Sequence, residues 1–348
     1  MTGLLITSFF VFGASFLMTM FYRNFALNRS LLDIPNARSS HLVPTPRGGG
    51  VAIVLSVLLV TPLGLWILLG YVPIEYLAIL LVGSWFAVIG WMDDVGIFVS
   101  TFPRLAAQLL GAGGALWAVS GVPQLEVFGL SVGSGWLSGL VGVLYLVWLT
   151  NLYNFMDGIN GIASLEALSV CLGLLLVICA TGVVMDFTCV LIFLAAAAAG
   201  FVLWNFPVAR IFMGDSGSYF IGSVLGVFSL LIGQVRADLF WCFILMLGVF
   251  VTDATTTLLV RVYRGERPHE AHRQHAYQHA AHKLGSHAKV TFAVFLINIL
   301  WLLPIALSLA VGFLNAGVAL FIGYAPLVVL AFYWDAGFQV RILGRPVS

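Results

Sequence analysis

Residues 48 to 70 read GGGVAIVLSVLLVTPLGLWILLG and contain no charged side chain. A helix of about 20 apolar residues is long enough to cross the roughly 30 Å hydrocarbon core of a bilayer. Comparable runs recur along the 348-residue chain, which is 61% hydrophobic and only 8% charged and has a mean hydropathy of +1.07. Soluble domains carry about 25% charged residues. We therefore predict an all-α, polytopic transmembrane protein.

The apolar runs and the turn signals between them predict about eleven spans, or ten if 163 to 206 or 290 to 334 is divided differently. They lie near residues 3 to 22, 48 to 70, 75 to 92, 104 to 121, 136 to 153, 163 to 182, 187 to 206, 218 to 235, 239 to 260, 290 to 312 and 316 to 334. No soluble domain or internal repeat interrupts them. Residues 1 to 348 are thus predicted to form a single transmembrane domain, with a His- and Arg-rich loop at 261 to 289.

The basic residues orient these spans. When the loops are assigned alternately to the two sides, only Arg236 falls on one side and every other Lys and Arg falls on the opposite side. That group comprises Arg23, Arg29, Arg38, Arg47, Arg104, Arg210, Arg261, Arg264, Arg267, Arg273, Lys283, Lys289, Arg341 and Arg345. Short cytoplasmic loops are enriched in Lys and Arg. The basic side is therefore predicted to be cytoplasmic, with the N-terminus outside and the C-terminus inside.

Five polar motifs lie on this side, and the first is HLVPTPRGGG from His41 to Gly50. Two prolines stiffen its backbone, and three glycines allow backbone N–H groups to approach an anion at the positively polarised start of the second span. The motif also contains Arg47. An ordinary loop-to-helix connection would explain the segment as well.

Acidic residues mark the next motifs. Asp93 and Asp94 directly follow the third span, where adjacent carboxylates are costly unless they bind a cation or pair with a base. A solvated helix end is the alternative. In the third motif, NLYNFMDGING from 151 to 161, Asn151, Asn154 and Asp157 would share one face if the fifth helix continued through it. Polar capping of a helix end accounts for only some of these residues.

The fourth motif runs from Asn205 to Ser218 and includes RIFMGDSGS. Glycines flank Asp215, Arg210 supplies a cation, and Phe212 offers a ring against which a base can stack. An N-cap with glycine turns is the alternative. The fifth motif is the loop 261 to 289, which holds six of the seven histidines.

If 272 to 282 were helical, its four histidines would fall within an arc of about 80° and could bind zinc. They are His272, His275, His279 and His282. The surrounding basic residues favour a polyanion over a bare cation. A solvated amphipathic surface helix is the alternative.

The four carboxylates Asp93, Asp94, Asp157 and Asp215 all lie at helix ends on the predicted cytoplasmic side. Carboxylate oxygens suit Mg²⁺ or Mn²⁺, which commonly hold substrate phosphates, while Arg and His bind the remaining phosphate oxygens. This set of groups predicts phosphoryl transfer from a nucleotide at the membrane surface.

In this order along nearly the whole chain, the motifs resemble those of the polyprenyl-phosphate N-acetylhexosamine-1-phosphate transferases, the MraY-like and WecA-like enzymes of glycosyltransferase family 4. The nearest resemblance is to the branch that initiates O-antigen or related surface glycans, because HRQHAYQ from 272 to 278 stands where the peptidoglycan enzyme has a triple-histidine run. The resemblance implies transfer of sugar 1-phosphate from a UDP-sugar to undecaprenyl phosphate. The products would be undecaprenyl-diphosphate-sugar and UMP, and the reaction would depend on Mg²⁺ or Mn²⁺.

The same resemblance implies roles for individual residues. Asp215 would be the principal metal ligand, with Asp94 and Asp157 as further ligands, and Asp93 and Asp94 would assist metal binding or activate the lipid phosphate. The substrate-binding residues would be Arg47, Asn151, Asn154, Asn160, Arg210, Phe212, His272 and His275. Among these, Asn154 would line the nucleotide site together with Asp157, and Phe212 would lie near the uracil.

One position departs from the family pattern. Asn160 stands where many relatives have a second aspartate, in an Asp-Gly-x-Asp-Gly motif. A neutral amide can hydrogen-bond a base or sugar but adds no charge near the metal. Donor identity therefore stays open, with FucNAc or QuiNAc as one expectation and GlcNAc as the next.

The resemblance also implies a multi-pass protein of the bacterial inner (plasma) membrane with a cytoplasmic active site. Its partners would be the UDP-sugar, undecaprenyl phosphate and the lipid bilayer, with no nucleic acid; a homodimer stays open. The main alternative is a multi-helix transporter of a phosphorylated or lipid-linked substrate. Transporters place binding groups near the bilayer midplane, where Asp253 is the convincing ionisable residue, although a hydrogen-bonded packing cluster would explain it too. A non-catalytic scaffold would not need these acidic clusters.

Overall fold

The computed structural model describes residues 2–35, 43–98, 100–127, 129–133, 135–183, 185–267 and 272–339. The chain is 76% helical, which confirms the all-α prediction. His41 at the start of the first motif, residues 268–271 of the His-rich loop, and Arg38, Arg341 and Arg345 of the predicted basic face lie outside the described residues.

The helices follow the predicted apolar runs. In chain order they are α1 (Thr2–Asn28), α2 (Val51–Leu69), α3 (Ile74–Asp94), α4 (Thr101–Ala118), α5 (Gly135–Phe155), α6 (Ile162–Thr181), α7 (Cys189–Asn205), α8 (Asp215–Val235), α9 (Ala237–Met246), α10 (Gly248–Tyr263), α11 (Ala276–Leu284), α12 (His287–Ile297), α13 (Leu303–Ala310) and α14 (Ala316–Tyr333). A 3₁₀ turn, Asp186–Thr188, precedes α7, and a π-helical turn, Asn298–Leu302, joins α12 to α13 in one span.

Two small antiparallel sheets complete the described part of the chain. Strand β1 (Leu32–Asp33) pairs with β2 (Thr45–Pro46), with Leu32 opposite Pro46. Strand β3 (Leu125–Val127) pairs with β4 (Leu130–Val132) as a hairpin between α4 and α5. The first sheet lies between α1 and α2 in the chain and so precedes the glycines of the first motif.

Across the described ranges, nine segments are long and apolar enough to cross a membrane, or ten if α9 and α10 form one broken span. The predicted span 239 to 260 is therefore wrong as a continuous helix, because α9 and α10 are bent by 71°. The break falls at Leu247, whose φ of −87° and ψ of 11° leave helical geometry. The predicted span 104 to 121 corresponds to α4, which is not among the nine.

Helix α8 lies at the centre of the bundle, because 89% of the residues in its apolar 18-residue stretch are buried. It packs against α3 and α5, where glycines allow the backbones to approach closely. A Cβ at Gly90 of α3 would lie 2.3 Å from the carbonyl oxygen of Asp215, and one at Gly222 of α8 would lie 3.0 Å from the Cα of Thr150. The first residue of α8 is therefore held directly against the end of α3.

Candidate active site

Asp94 at the end of α3 caps the start of α8. Its Oδ1 accepts a hydrogen bond from the backbone N–H of Asp215 (3.0 Å), and its Oδ2 accepts one from Ser216 (3.1 Å). The first N–H groups of a helix have no partner within the helix, and the helix dipole favours a negative charge there. A carboxylate 121 residues earlier in the chain therefore fixes the position of Asp215.

Arg47 bridges the same two aspartates. Its Nε lies 3.0 Å from Oδ1 of Asp94, and its Nη2 lies 2.7 Å from Oδ1 of Asp215. The negative charge of Asp215, assisted by that of Asp94, raises the pKa of Arg47 although burial opposes it. The guanidinium is thus held as a fixed cation between two mostly buried carboxylates.

The glycines of the first motif attach this segment to α8. The N–H groups of Gly49 and Gly50 donate to the carbonyl oxygens of Phe212 (2.9 Å) and Met213 (2.8 Å). A Cβ at Gly50 would lie 2.5 Å from the Cα of Gly217. The prediction that these glycine N–H groups approach an anion is wrong for Gly49 and Gly50, because both donate to main-chain carbonyls.

Two further elements contribute polar groups. Asp93 forms an ion pair with Arg104 of α4. Asn154, in the last turn of α5, donates from Nδ2 to Oδ1 of Asp215 (2.9 Å) and to Oγ of Ser218 (3.0 Å). Helices α3, α4, α5 and α8 therefore all contribute side chains to one polar cluster.

Asp157 lies in the turn that follows α5. The prediction that α5 continues through the third motif is wrong, since the helix ends at Phe155 and α6 starts after Gly161, whose φ is +76°. Burial, followed by the negative charges of Asp215 and Asp94, raises the pKa of Asp157. Its carboxyl group therefore lies within electrostatic range of both carboxylates although it is not on the helix.

Asn151 pairs with Gln108 and not with an aspartate. Its amide forms a reciprocal pair with Gln108 of α4, donating to Oε1 (2.8 Å) and accepting from Nε2 (3.3 Å). Gln108 is only 1% exposed, and the sequence analysis missed it. The available signal was the one amide of α4, a helix whose only charged residue is Arg104, since a buried amide needs a polar partner.

Asn160 is occupied by contacts within the protein. Its Nδ2 donates to the carbonyl oxygen of Pro207 (3.2 Å), its Oδ1 lies 3.2 Å from Nδ1 of His287, and its carbonyl oxygen accepts from Oγ1 of Thr291 (2.8 Å). The residue joins the turn after α5 to α12 and to the segment before α8. These contacts position the turn, and the predicted hydrogen bond from Asn160 to a base or sugar stays a prediction.

Two residues of the fourth motif, Arg210 and Phe212, have different surroundings in the structure. Arg210 is exposed, and its guanidinium lies over the Trp204 ring at 5.7 Å, whereas Arg47 provides the cation at Asp215. The backbone N–H of Phe212 donates to the carbonyl oxygen of Pro46 (2.8 Å), which places its half-buried side chain next to the segment that carries Arg47.

The His-rich segment is not the predicted four-histidine helix face. Helix α11 begins only at Ala276, so His272 and His275 precede it. Within the described ranges no group of three or more His, Cys, Asp or Glu side chains could hold a metal ion, which argues against the zinc alternative. Because only part of this segment is helical, the histidines have different partners: His275 contacts Asp253, and His279 contacts the carbonyl oxygen of Phe338.

Asp253 of α10 anchors this segment. Its carboxylate accepts from the backbone N–H groups of Ala276 (3.0 Å) and Tyr277 (2.8 Å), and Nδ1 of His275 lies 3.0 Å from it. The hydroxyl of Tyr277, also missed in the sequence, donates to the carbonyl oxygen of Phe155 (2.9 Å). Asp253 is therefore a hydrogen-bonded cap next to the bend, not a substrate ligand for a transporter.

His272 stacks on His275, with ring centroids 4.9 Å apart. Burial, and then the neighbouring His275 and Arg261, lowers the pKa of His272 to about 3. At neutral pH the ring is therefore uncharged. It can contact a phosphate as a hydrogen-bond donor but not as a cation.

The carboxylates suit a divalent cation whose remaining ligands come from the substrate. Mg²⁺ commonly uses one or two protein carboxylates together with substrate phosphates and water. Asp215 and Asp157 supply two such carboxylates, whereas both oxygen atoms of Asp94 accept hydrogen bonds from the start of α8 and its Oδ1 also pairs with Arg47. Among the described residues, no three of these side chains are arranged so that they could hold a metal ion by themselves. A Mg²⁺ or Mn²⁺ ion at these two carboxylates would therefore need phosphate oxygens of the substrate as further ligands.

Comparison with known proteins identifies a family and several named relatives. Residues 76–233 match the family model described as glycosyl transferase family 4. The chain is similar to the phospho-N-acetylmuramoyl-pentapeptide-transferase of Chlamydia trachomatis serovar L2, with 31% identity over 249 residues, covering 62% of this chain and 67% of the relative.

Two other relatives align over more of the chain. The probable undecaprenyl-phosphate N-acetylglucosaminyl 1-phosphate transferase of Bacillus subtilis is 28% identical over 295 residues, covering 82% of this chain and 79% of that protein. The decaprenyl-phosphate N-acetylglucosaminephosphotransferase of Mycolicibacterium smegmatis is 28% identical over 319 residues, covering 81% of this chain and 76% of that protein. All three names describe transferases.

Proposed function

Because this chain belongs to glycosyl transferase family 4, we propose that it transfers a sugar 1-phosphate from a UDP-sugar to undecaprenyl phosphate. The products are undecaprenyl-diphosphate-sugar and UMP. The observation that carries the proposal is the cluster in which Arg47 and Asn154 hold Asp215 while Asp94 caps its helix. The names of the Bacillus and Mycolicibacterium relatives support a polyprenyl phosphate acceptor.

The first donor to consider is UDP-GlcNAc. Both relatives with the broadest coverage are named for N-acetylglucosamine. Asn160, the position that left the donor open, hydrogen-bonds Pro207 and contacts His287, and so gives no reason to prefer FucNAc or QuiNAc. UDP-FucNAc and UDP-QuiNAc are therefore the second group of donors, and the product would initiate O-antigen or another surface glycan.

The reaction is an in-line displacement at the β-phosphorus of the donor. A bond forms from an oxygen of the lipid phosphate to the β-phosphorus, the bond from this phosphorus to the oxygen bridging the two phosphates breaks, and UMP leaves with that oxygen. Phosphoryl transfer is catalysed mainly by positioning and by stabilisation of charge. Arg47 suits this task because both of its carboxylate partners orient the guanidinium.

Asp215 and Asp157 would hold the divalent cation together with substrate phosphate, while Asp94 fixes Asp215 through the cap of α8. The bound cation would neutralise charge on the diphosphate. Asn154 orients Asp215 through the 2.9 Å hydrogen bond, and Arg104 holds Asp93 next to it. His272 and His275 would contact phosphate from the segment that Asp253 anchors, and Phe212 would approach the uracil.

The site lies where a soluble donor and a membrane-bound acceptor can meet. Asp94 ends α3, Asp215 begins α8 and Asp157 follows α5, so the cluster lies at one end of the membrane-spanning helices. The basic side of the bundle supports a cytoplasmic orientation in the bacterial inner membrane.

The test uses purified protein in lipid nanodiscs with Mg²⁺, undecaprenyl phosphate and the three UDP-sugars, and measures UMP. We expect UMP only when acceptor is present. Asp215→Asn should lower kcat at least about 100-fold, since it removes a charge from the proposed cation site. Gly113→Ala is the control, because a Cβ at this exposed position meets nothing within 4 Å. Absence of UMP from every donor would contradict the proposal.

A further inference from the structure

Glu166 is a buried carboxyl group in α6 that no step of the proposed reaction uses. It is only 1% exposed, and its Oε2 accepts a 2.7 Å hydrogen bond from Nδ2 of Asn298. Asn298 is fully buried at the start of the π-helical turn between α12 and α13. The same amide donates to Oγ of Ser169 at 2.9 Å. A carboxyl group and an amide are thus paired inside the bundle.

The remaining oxygen atom of each group has no partner. Within the described residues, Oε1 of Glu166 and Oδ1 of Asn298 are both buried and make no hydrogen bond. An ionised carboxylate and an amide oxygen are both acceptors, so neither can satisfy the other. A buried charge held by a single amide donor is also costly.

A single proton on Glu166 would give both of these oxygen atoms a hydrogen bond. If Oε1 of Glu166 carries a hydrogen, it can donate to Oδ1 of Asn298 while Oε2 continues to accept from Nδ2. A neutral carboxylic acid has one donor and an acceptor, which complements a primary amide. The two unsatisfied oxygens therefore point to a protonated side chain.

The paired groups connect α6 to the span 287–310, which Asn160 also joins near the start of both. Asn160, immediately before α6, contacts His287 and Thr291 of α12. Glu166 lies four residues into α6, about 6 Å below its start. The π-helical turn shifts the register of the span that carries Asn298, and such turns are frequent at functional sites.

We propose that Glu166 is a neutral positioning residue whose two-way hydrogen bond with Asn298 sets the register of the span 287–310 on α6. This pair supports the contact of Asn160 with α12, and so holds the turn that carries Asp157. The positioning role rests on the proposed transferase reaction, whereas the protonation of Glu166 does not.

Infrared difference spectroscopy of the full-length protein at neutral pH tests the protonation. Wild type minus Glu166→Gln should show the carbonyl band of a protonated carboxylic acid, and wild type minus Asn298→Ala should show the same band shifted. Glu126→Gln, an exposed change on the β3–β4 hairpin, is the matched control and should not remove that band. If wild type minus Glu166→Gln shows only the bands of an ionised carboxylate and no band of a protonated acid, the proposal is overturned.

Steady-state kinetics test the positioning. Glu166→Gln provides both hydrogen bonds and should keep kcat within about threefold, whereas Glu166→Ala and Asn298→Ala should lower it about tenfold with little change in KM. Equal losses in Gln and Ala would show that the charge is needed and overturn the neutral form. Full activity in both Ala variants would overturn the positioning role. If wild type transfers nothing, the transferase proposal fails, but the infrared result still decides protonation.

Discussion

Arg47 is the residue on which the geometry of the candidate site depends most. It is the cation between Asp94 and Asp215, and its backbone neighbours pair with the segment before α8. In the sequence, Arg47 stands out only through its motif. Its partners lie 47 and 168 residues away, and the sequence alone does not say which carboxylates it meets.

The two-sided contact of Arg47 leads to a specific expectation. Arg47→Lys keeps the charge, but an ammonium group cannot make the same fork of directed bonds. Loss of one charge-assisted hydrogen bond should lower kcat/KM by about 10- to 100-fold. The control is Arg29→Lys, an exposed residue beyond α1. Wild-type kcat/KM in Arg47→Lys would contradict a bridging role.

His272 should make the fold sensitive to acid. Its pKa is lowered from 6.5 to about 3 by burial and by nearby His275 and Arg261. Between these values the unfolded chain binds a proton that the folded chain does not, so stability falls as the pH drops below 6.5. In His272→Gln, the decrease in Tm between roughly pH 7 and pH 4.5 should be smaller. An equal decrease in both proteins would contradict this assignment.

Individual site residues were predictable to different degrees. Asp94, Asp157 and Asp215 were identified because carboxylates at helix ends on one membrane side are unusual. The bridge from Asn160 to His287 could not be predicted, because the two residues are 127 positions apart and nothing local distinguishes a ligand amide from a bridging one.

At the scale of elements, the approach of α3 to α8 positions the cluster. Gly90→Ala would place a Cβ 2.3 Å from the carbonyl oxygen of Asp215. This oxygen belongs to the main chain of α8, which cannot move aside as a flexible side chain can. Overpacking of this kind costs about 1–3 kcal/mol. We expect a lower Tm and a lower kcat, measured against Gly113→Ala in α4. If Gly90→Ala matches that control, the close approach does not position Asp215.

Helix α11 depends on a cap from another element. Asp253 of α10 accepts from two of its backbone N–H groups, at Ala276 and Tyr277. Asp253→Ala leaves these N–H groups and His275 without their acceptor, at about 1–3 kcal/mol for each buried group. Hydrogen exchange should therefore become faster across residues 276–284. Unchanged exchange in this segment would show that α11 does not need the cap.

Element boundaries were less predictable than element existence. The predicted span 218 to 235 begins three residues earlier in the structure, at Asp215, because Asp94 supplies an acceptor for its first N–H groups. The break between α9 and α10 occurs at Leu247, without a proline to signal it. The early start of α8 depends on a tertiary contact that no local pattern contains.

For the whole molecule, the sequence alone predicted the class of fold. Runs without charge must be helical in a bilayer, since all backbone groups need internal partners there. The same reasoning predicted that distant carboxylates share one side, although it could not supply the pairing of Arg47 with Asp215 or the bridge from Asn160 to α12.

The central claim is that the donor loses a sugar 1-phosphate and not a sugar alone. The most direct measurement uses UDP-GlcNAc with ³²P at the β-phosphorus, together with undecaprenyl phosphate and Mg²⁺ in nanodiscs. We predict that the label moves to the lipid with wild-type protein, and that label at the α-phosphorus remains in UMP. Label from the β-phosphorus that stays in soluble UDP while sugar enters the lipid would contradict the account.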